Sequence, residues 1–87
     1  MAEVELYTTV FCPYCARARV LLERKGVAYT EIDIIEEPAR RVEMIQRAGG
    51  RTSVPQIFIN GEHIGGSDEL VALDRAGALD AKLGSTK

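Results

Sequence analysis

The apolar positions of this 87-residue chain change period several times, and each change marks an element. Val4 and Leu6 alternate with Glu5 and Tyr7, the period of a half-buried strand. From residue 13 to about residue 25, Cys15, Ala18, Leu21 and Leu22 recur at helical spacing, and Gly26 supplies the stop. Residues 29–35 are β-rich, with Ile32 and Ile34 on one face, and predict a second strand. Strand, helix and strand with short connections predict a parallel pair joined by a right-handed crossover. Glu36-Glu37-Pro38 opens a second helix, whose apolar stripe reads as Val42, Ile45 and Ala48, with Gly49-Gly50 at its end. Residues 56–59 form a third strand. Asn60-Gly61 is a favoured pair for a tight hairpin, so residues 62–64 return antiparallel as a fourth strand. A third helix begins at Ser67 or Asp68 and runs to Ala76, with Gly77 as its stop, and Leu79 and Leu83 are assigned to a frayed last turn. The order β-α-β-α-β-β-α predicts an α/β domain, a four-stranded mixed sheet flanked by three or more helices. Residues 1–87 read as one domain, without repeats or linkers, and its core is expected to hold Leu21, Leu22, Ile32, Ile34, Ile57 and Ile59.

Composition narrows the function. At 46% hydrophobic and 28% charged, the chain is ordinary globular protein and not disordered. A formal charge of −2 gives no reason to expect nucleic-acid or anionic-membrane binding. Met1-Ala2-Glu3-Val4-Glu5 lacks the basic start and apolar stretch of a signal peptide, and no apolar run approaches a membrane span. A cytoplasmic location is expected, where a cysteine pair is more often catalytic than structural.

The chemistry concentrates in Cys12-Pro13-Tyr14-Cys15, which holds the chain's only two cysteines. The motif sits after the first strand and at the head of the first helix, the setting of a thiol–disulfide redox site. A thiolate there faces unpaired backbone N–H groups and the positive end of the helix dipole. A thiol three positions on lies one turn away, within reach of a disulfide. Pro13 suits the first helical position, where its missing N–H costs nothing. Structural zinc needs four ligands, and the chain offers Cys12, Cys15 and His63, so no metal is expected. A structural staple is disfavoured because so small a loop removes little unfolded-state entropy.

Four segments in sequence order resemble the dithiol glutaredoxins of the thioredoxin superfamily: Cys12-Pro13-Tyr14-Cys15, Thr52-Ser53-Val54-Pro55, the Asn60-Gly61 hairpin and Gly65-Gly66-Ser67-Asp68. Within that family the chain is most similar to the short bacterial glutaredoxin 3 type. The resemblance implies a thioredoxin-like fold and a glutathione-dependent oxidoreductase that reduces protein disulfides and protein–glutathione mixed disulfides. Cys12 is then the nucleophile and Cys15 the resolving thiol. Glutathione is the electron donor, and client proteins carry disulfides or glutathione adducts, ribonucleotide reductase among the family's clients. A monomer is expected.

The same resemblance distributes the glutathione contacts. It implies a cis Val54-Pro55 bond, with the Val54 backbone pairing with the cysteinyl part of glutathione as a short added strand. Residue order alone would favour trans and a plain strand-initiating proline. Gly66 and Ser67, at a helix N-terminus, would offer N–H groups to the γ-glutamyl carboxylate, and Asp68 would face the amino group; the bare alternative is a turn and helix cap. Tyr14 would line the thiol groove. Arg41 is the candidate for the glycyl carboxylate, against a solvated helix face. Gln56 receives no role, and His63 reads as surface. Many members carry a lysine three residues before the first cysteine, where this chain has Thr9, so the field on Cys12 would come from the helix and from Arg17 or Arg41. Two rivals stand beside this reading. A redoxin fed by thioredoxin reductase would carry Ser-Gly-Phe-Arg-Pro where this chain has Ser67-Asp68-Glu69-Leu70. An iron–sulfur carrier would hold a cluster between two chains, usually with smaller residues than Pro13 and Tyr14.

Overall fold

A computed structural model describes residues 2–84. Strand β1 (Val4–Thr8) is followed by helix α1 (Pro13–Arg24), β2 (Thr30–Asp33), α2 (Pro38–Arg47), β3 (Gln56–Ile59), β4 (Glu62–Gly65), α3 (Ser67–Arg75) and α4 (Leu79–Leu83). The sheet order is β2-β1-β3-β4; β2 runs parallel to β1, and the pairs β1–β3 and β3–β4 are antiparallel. This is the four-stranded mixed sheet of the thioredoxin-like fold.

Strand alternation divides the core into two layers. Val4 and Leu6 of β1 and Ile57 and Ile59 of β3 point to one face, where they pack with Ala18, Leu22, Leu70, Leu79 and Leu83. Tyr7 and Phe58 point to the other, with Ile32, Ile34, Met44 and Ala48. Helices α1, α3 and α4 therefore cover one side of the sheet and α2 covers the other. The hairpin between β3 and β4 turns on Asn60 at φ +52° and Gly61 at φ +81°, the left-handed pair of a type I′ turn. The turn is also tied to the first strand: Glu3 N–H donates to Asn60 Oδ1 at 2.9 Å, and Asn60 N–H donates to the Glu3 carbonyl at 2.7 Å.

Three expectations need correction. The apolar stripe of α2 does not include Val42, which is 56% exposed; Met44 is buried in its place, two residues and about 200° round the helix. The buried side of α2 is half polar. Arg47 lies over the Phe58 ring at 4.0 Å, reaches Glu5 at 2.8 Å and donates to Tyr7 Oη at 2.7 Å, while Tyr7 donates to Glu43. Leu79 and Leu83 belong to a formed helix, α4, and both are buried in the core. Leu21 is half-buried against that core and not inside it.

Candidate active site

Loop 9–12 leaves the C-terminal end of β1, an inner strand of the sheet, and delivers Cys12 as the N-cap of α1, with extended backbone and Pro13 next in the helix. The Cys15 N–H donates to Cys12 Sγ at 3.1 Å. Such a bond strengthens when the acceptor carries charge. Cys12 is half-exposed, whereas Cys15, on the inner side of the first turn, is 0% exposed. Burial, first of all, pushes the Cys15 thiol from its ordinary value near 9 up to about 12; a side-chain hydrogen bond with Cys12 adds to the rise, and the Thr9 backbone offsets part of it. Both thiols are free. One chain turn thus holds two sulfurs of unlike character, an accessible one and a desolvated one.

Segment 53–55 faces this turn. The Val54-Pro55 bond is cis, as the resemblance implied, and Cys12 Sγ donates to the Val54 carbonyl at 3.8 Å. Behind it sits Gln56, fully buried at the start of β3. Its Nε2 donates to the Ser53 carbonyl at 2.9 Å and approaches Ser53 Oγ at 3.3 Å, and its Oε1 is 2.7 Å from His63 Nε2. Since Oε1 can only accept, His63 Nε2 carries the proton in this pair. His63 is half-buried and stacks on Phe58 at 5.0 Å, so it is not the surface residue its position suggested; burial depresses its pKa. Gln56 and His63 anchor the turn that carries Val54, a role that polarity alone did not reveal.

The N-terminus of α3 closes the third side. Gly66 is its N-cap, and Glu69 accepts from the Gly66 N–H, half of a capping box. Among the described residues, the N–H groups of Ser67 and Asp68 have no acceptor. Gly65 sits at φ +119°, and a Cβ there would fall 2.5 Å from Glu69 Oε1, so only glycine fits this approach. Asp68 is exposed and lies 3.4 Å from Arg17, whose guanidinium also stands 5.9 Å from the centre of the Tyr14 ring.

Together these residues form a cleft of about 170 Å³ lined by Tyr14, Ser53, Val54, Pro55, Gly66, Ser67 and Asp68, with Arg51 and Glu69 at its rim, paired at 3.2 Å. The cleft gathers six of the seven residues to which the resemblance assigned glutathione contacts, Tyr14, Val54, Pro55, Gly66, Ser67 and Asp68; the seventh, Arg41, lies exposed on α2 and does not line it. Arg51 was missed; its one visible signal is its place immediately before Thr52-Ser53-Val54-Pro55. A larger groove lies elsewhere, between α1 and α3, and shares only Asp68 with the cleft. Among the described residues no three His, Cys, Asp or Glu side chains group as metal ligands, and no helix is long and apolar enough to cross a membrane.

An accessible thiol capping a helix, a buried thiol one turn on and a cis-proline turn against them, on this sheet, define a thiol–disulfide oxidoreductase of the thioredoxin fold. Comparison narrows the class. The glutaredoxin family model matches residues 4–64. Glutaredoxin 3 of Escherichia coli (strain K12) is 57% identical over 83 residues, covering 95% of this chain and 99% of that protein. Among solved structures, a glutaredoxin from Brucella melitensis is 49% identical, with a TM-score of 0.84, over 100% of this chain and 94% of that one. A buckwheat glutaredoxin–glutathione complex is 30% identical, with a TM-score of 0.87, over 95% of this chain and 77% of that one. The chain belongs to the glutaredoxin family, and thiol oxidoreductase activity comes with that membership.

Proposed function

We propose that the protein reduces protein–glutathione mixed disulfides and protein disulfides, with glutathione as electron donor. The observation that carries this reading is the position of Cys12: half-exposed and 3.8 Å from the carbonyl of Val54, which lines a cleft that also holds Ser67 and Asp68 with their free N–H groups. In the glutathione route, the Cys12 thiolate attacks the glutathione sulfur of a mixed disulfide. The S–S bond between the client sulfur and glutathione breaks, the client leaves as a thiolate and takes up a proton, and Cys12 carries glutathione in a new disulfide. A second glutathione thiolate then attacks that adduct, leaving oxidised glutathione and restoring Cys12. One free glutathione is consumed for each client thiol released, and the oxidised glutathione formed also carries away the glutathione that had capped the client. In the dithiol route, Cys12 attacks a client disulfide, and Cys15 loses its proton and attacks Cys12 Sγ, releasing the client and forming the Cys12–Cys15 disulfide. Two glutathiones reduce that disulfide.

The contacts proposed for glutathione follow the cleft. The Val54 backbone pairs with the cysteinyl unit beside Pro55, and Tyr14 packs along it. The free N–H groups of Ser67 and Asp68 receive the γ-glutamyl carboxylate beside Gly66, whose own N–H is held by Glu69, and the Asp68 side chain pairs with the amino group. The glycyl carboxylate calls for a guanidinium; Arg51, at the rim, is the nearer provider, with Arg41 as the more distant one. The buckwheat relative described as a glutathione complex supports a glutathione site on this fold. The test is reduction of a glutathionylated peptide with glutathione, glutathione reductase and NADPH. Turnover is expected to require glutathione and to fail when thioredoxin reductase replaces the glutathione system. The reverse pattern would overturn the reading.

A further inference from the structure

The groove between α1 and α3, about 1090 Å³, is far larger than the thiol cleft and takes no part in the chemistry above. Its floor is apolar, built from Ala16, Val20 and Leu21 of α1 and from Val71, Ala72 and Ala76 on the α3 side. Val20 is exposed there, an apolar side chain without cover. The groove begins at Pro13 and Asp68, beside Cys12, and ends at Arg24. Its walls carry three cations, Arg17, Arg24 and Arg75, and two carboxylates, Asp68 and Asp74. Both carboxylates are already matched, Asp68 by Arg17 at 3.4 Å and Asp74 by Lys25 at 2.6 Å. Among the described residues, Arg24 and Arg75 pair with no carboxylate. In a chain of net charge −2, the far end of this apolar track is therefore locally positive.

We propose that this groove docks the client polypeptide, and that it selects an acidic, partly apolar segment at a set distance from the client's reactive cysteine. The client sulfur must meet Cys12 at the head of the groove. Eleven helical steps separate Pro13 from Arg24, about 16 Å at the α-helical rise of 1.5 Å per residue. An extended chain covers that length in about five residues at roughly 3.3 Å each. The preferred client carries one or two carboxylates about five positions from its cysteine, facing Arg24 and Arg75, with apolar side chains between them on the floor. Nucleic acid is a poorer occupant, because two unmatched cations on an acidic protein do not track a phosphate backbone. The proposal rests on Cys12 as the attacking thiol and is independent of glutathione as donor.

The test uses the Cys15→Ser protein and peptides whose single cysteine is capped as a mixed disulfide with thionitrobenzoate. Cys12 attacks the peptide sulfur, a Cys12–peptide disulfide forms, and the aryl thiolate leaves with the electron pair and is read by its colour. One peptide set places two glutamates five residues from the cysteine, on either side. A second places them next to the cysteine, and a third puts lysines at the five-residue position. The expected rate advantage of one orientation of the distant-glutamate peptide is about tenfold over the lysine peptide, the size of two exposed ion pairs. It shrinks in high salt and reverses in Arg24→Glu/Arg75→Glu. The small disulfide dithiobis(nitrobenzoate) reacts at the same rate with both proteins, which checks that the thiol is intact. Rates that ignore the position and sign of the peptide charge overturn the proposal. So does a concentration-dependent dimer that the charge reversal dissolves, since the groove would then hold a second copy of this chain. Failure of Cys12 as nucleophile would silence every peptide and the small disulfide alike, and failure of the glutathione reading leaves this assay untouched.

Discussion

The resolving step should be slow at neutral pH and should accelerate with alkalinity without reaching a plateau below about pH 9. Cys15 must shed its proton before it can attack Cys12, yet burial holds that thiol up at about 12. With that value, the thiolate fraction near pH 7 is about 10⁻⁵, against about 10⁻² for a thiol near 9. Once Cys12 is engaged in a mixed disulfide, its hydrogen bond and charge no longer raise the Cys15 thiol. Burial, the larger cause, remains, because Cys15 is 0% exposed. Between pH 6.5 and 8.5 the thiolate fraction of a group titrating above 9 rises about a hundredfold, and the rate of intramolecular resolution should follow it. The assay is single-turnover mixing of the reduced protein with a peptide disulfide whose second thiol is fluorescent only when free. The slow phase, absent in Cys15→Ser, reports resolution. An inflection near pH 7 with a flat rate above it would refute the reasoning, because Cys15 would then ionise as an accessible thiol despite its burial.

Gly65→Ala should destabilise the protein by about 2 kcal/mol or more, since it forces a side chain into a left-handed backbone and against Glu69; urea denaturation at constant slope reads the loss. Leu79→Ala should cost about 2–5 kcal/mol as a core truncation, whereas Val42→Ala on the exposed side of α2 should stay within about 0.5 kcal/mol; equal losses would contradict the assigned packing.

Most of the fold was legible because period and punctuation agree along the chain. Val4 and Leu6 alternate, Asn60-Gly61 marks its turn, and Gly26, Gly49 and Gly77 close the first three helices, so the order of elements followed without tertiary information. The misreading of α2 has a physical origin. Its inward face binds Tyr7 and Glu5 through Arg47 and Glu43, so polarity does not mark the outside, and the apolar Val42 is left over on the solvent side. Leu79 and Leu83 are spaced for a helix, but five residues are too few for a periodic signal to separate from a frayed end. At the site, the cysteines and the glycine segment were visible because their chemistry is local. Gln56 and His63 were not, because their pairing exists only once β3 and β4 lie side by side. Arg41 and Arg51 look alike in sequence, and only the third dimension brings one of them to the cleft.

In the proposed reaction Cys12 alone attacks while Cys15 only resolves, with glutathione supplying the electrons. Turnover of a glutathionylated peptide by wild type, Cys12→Ser and Cys15→Ser, in glutathione, glutathione reductase and NADPH, measures it most directly. Activity is expected in wild type, retained in Cys15→Ser and absent in Cys12→Ser. Equal activity in Cys12→Ser, or loss in Cys15→Ser alone, would contradict it.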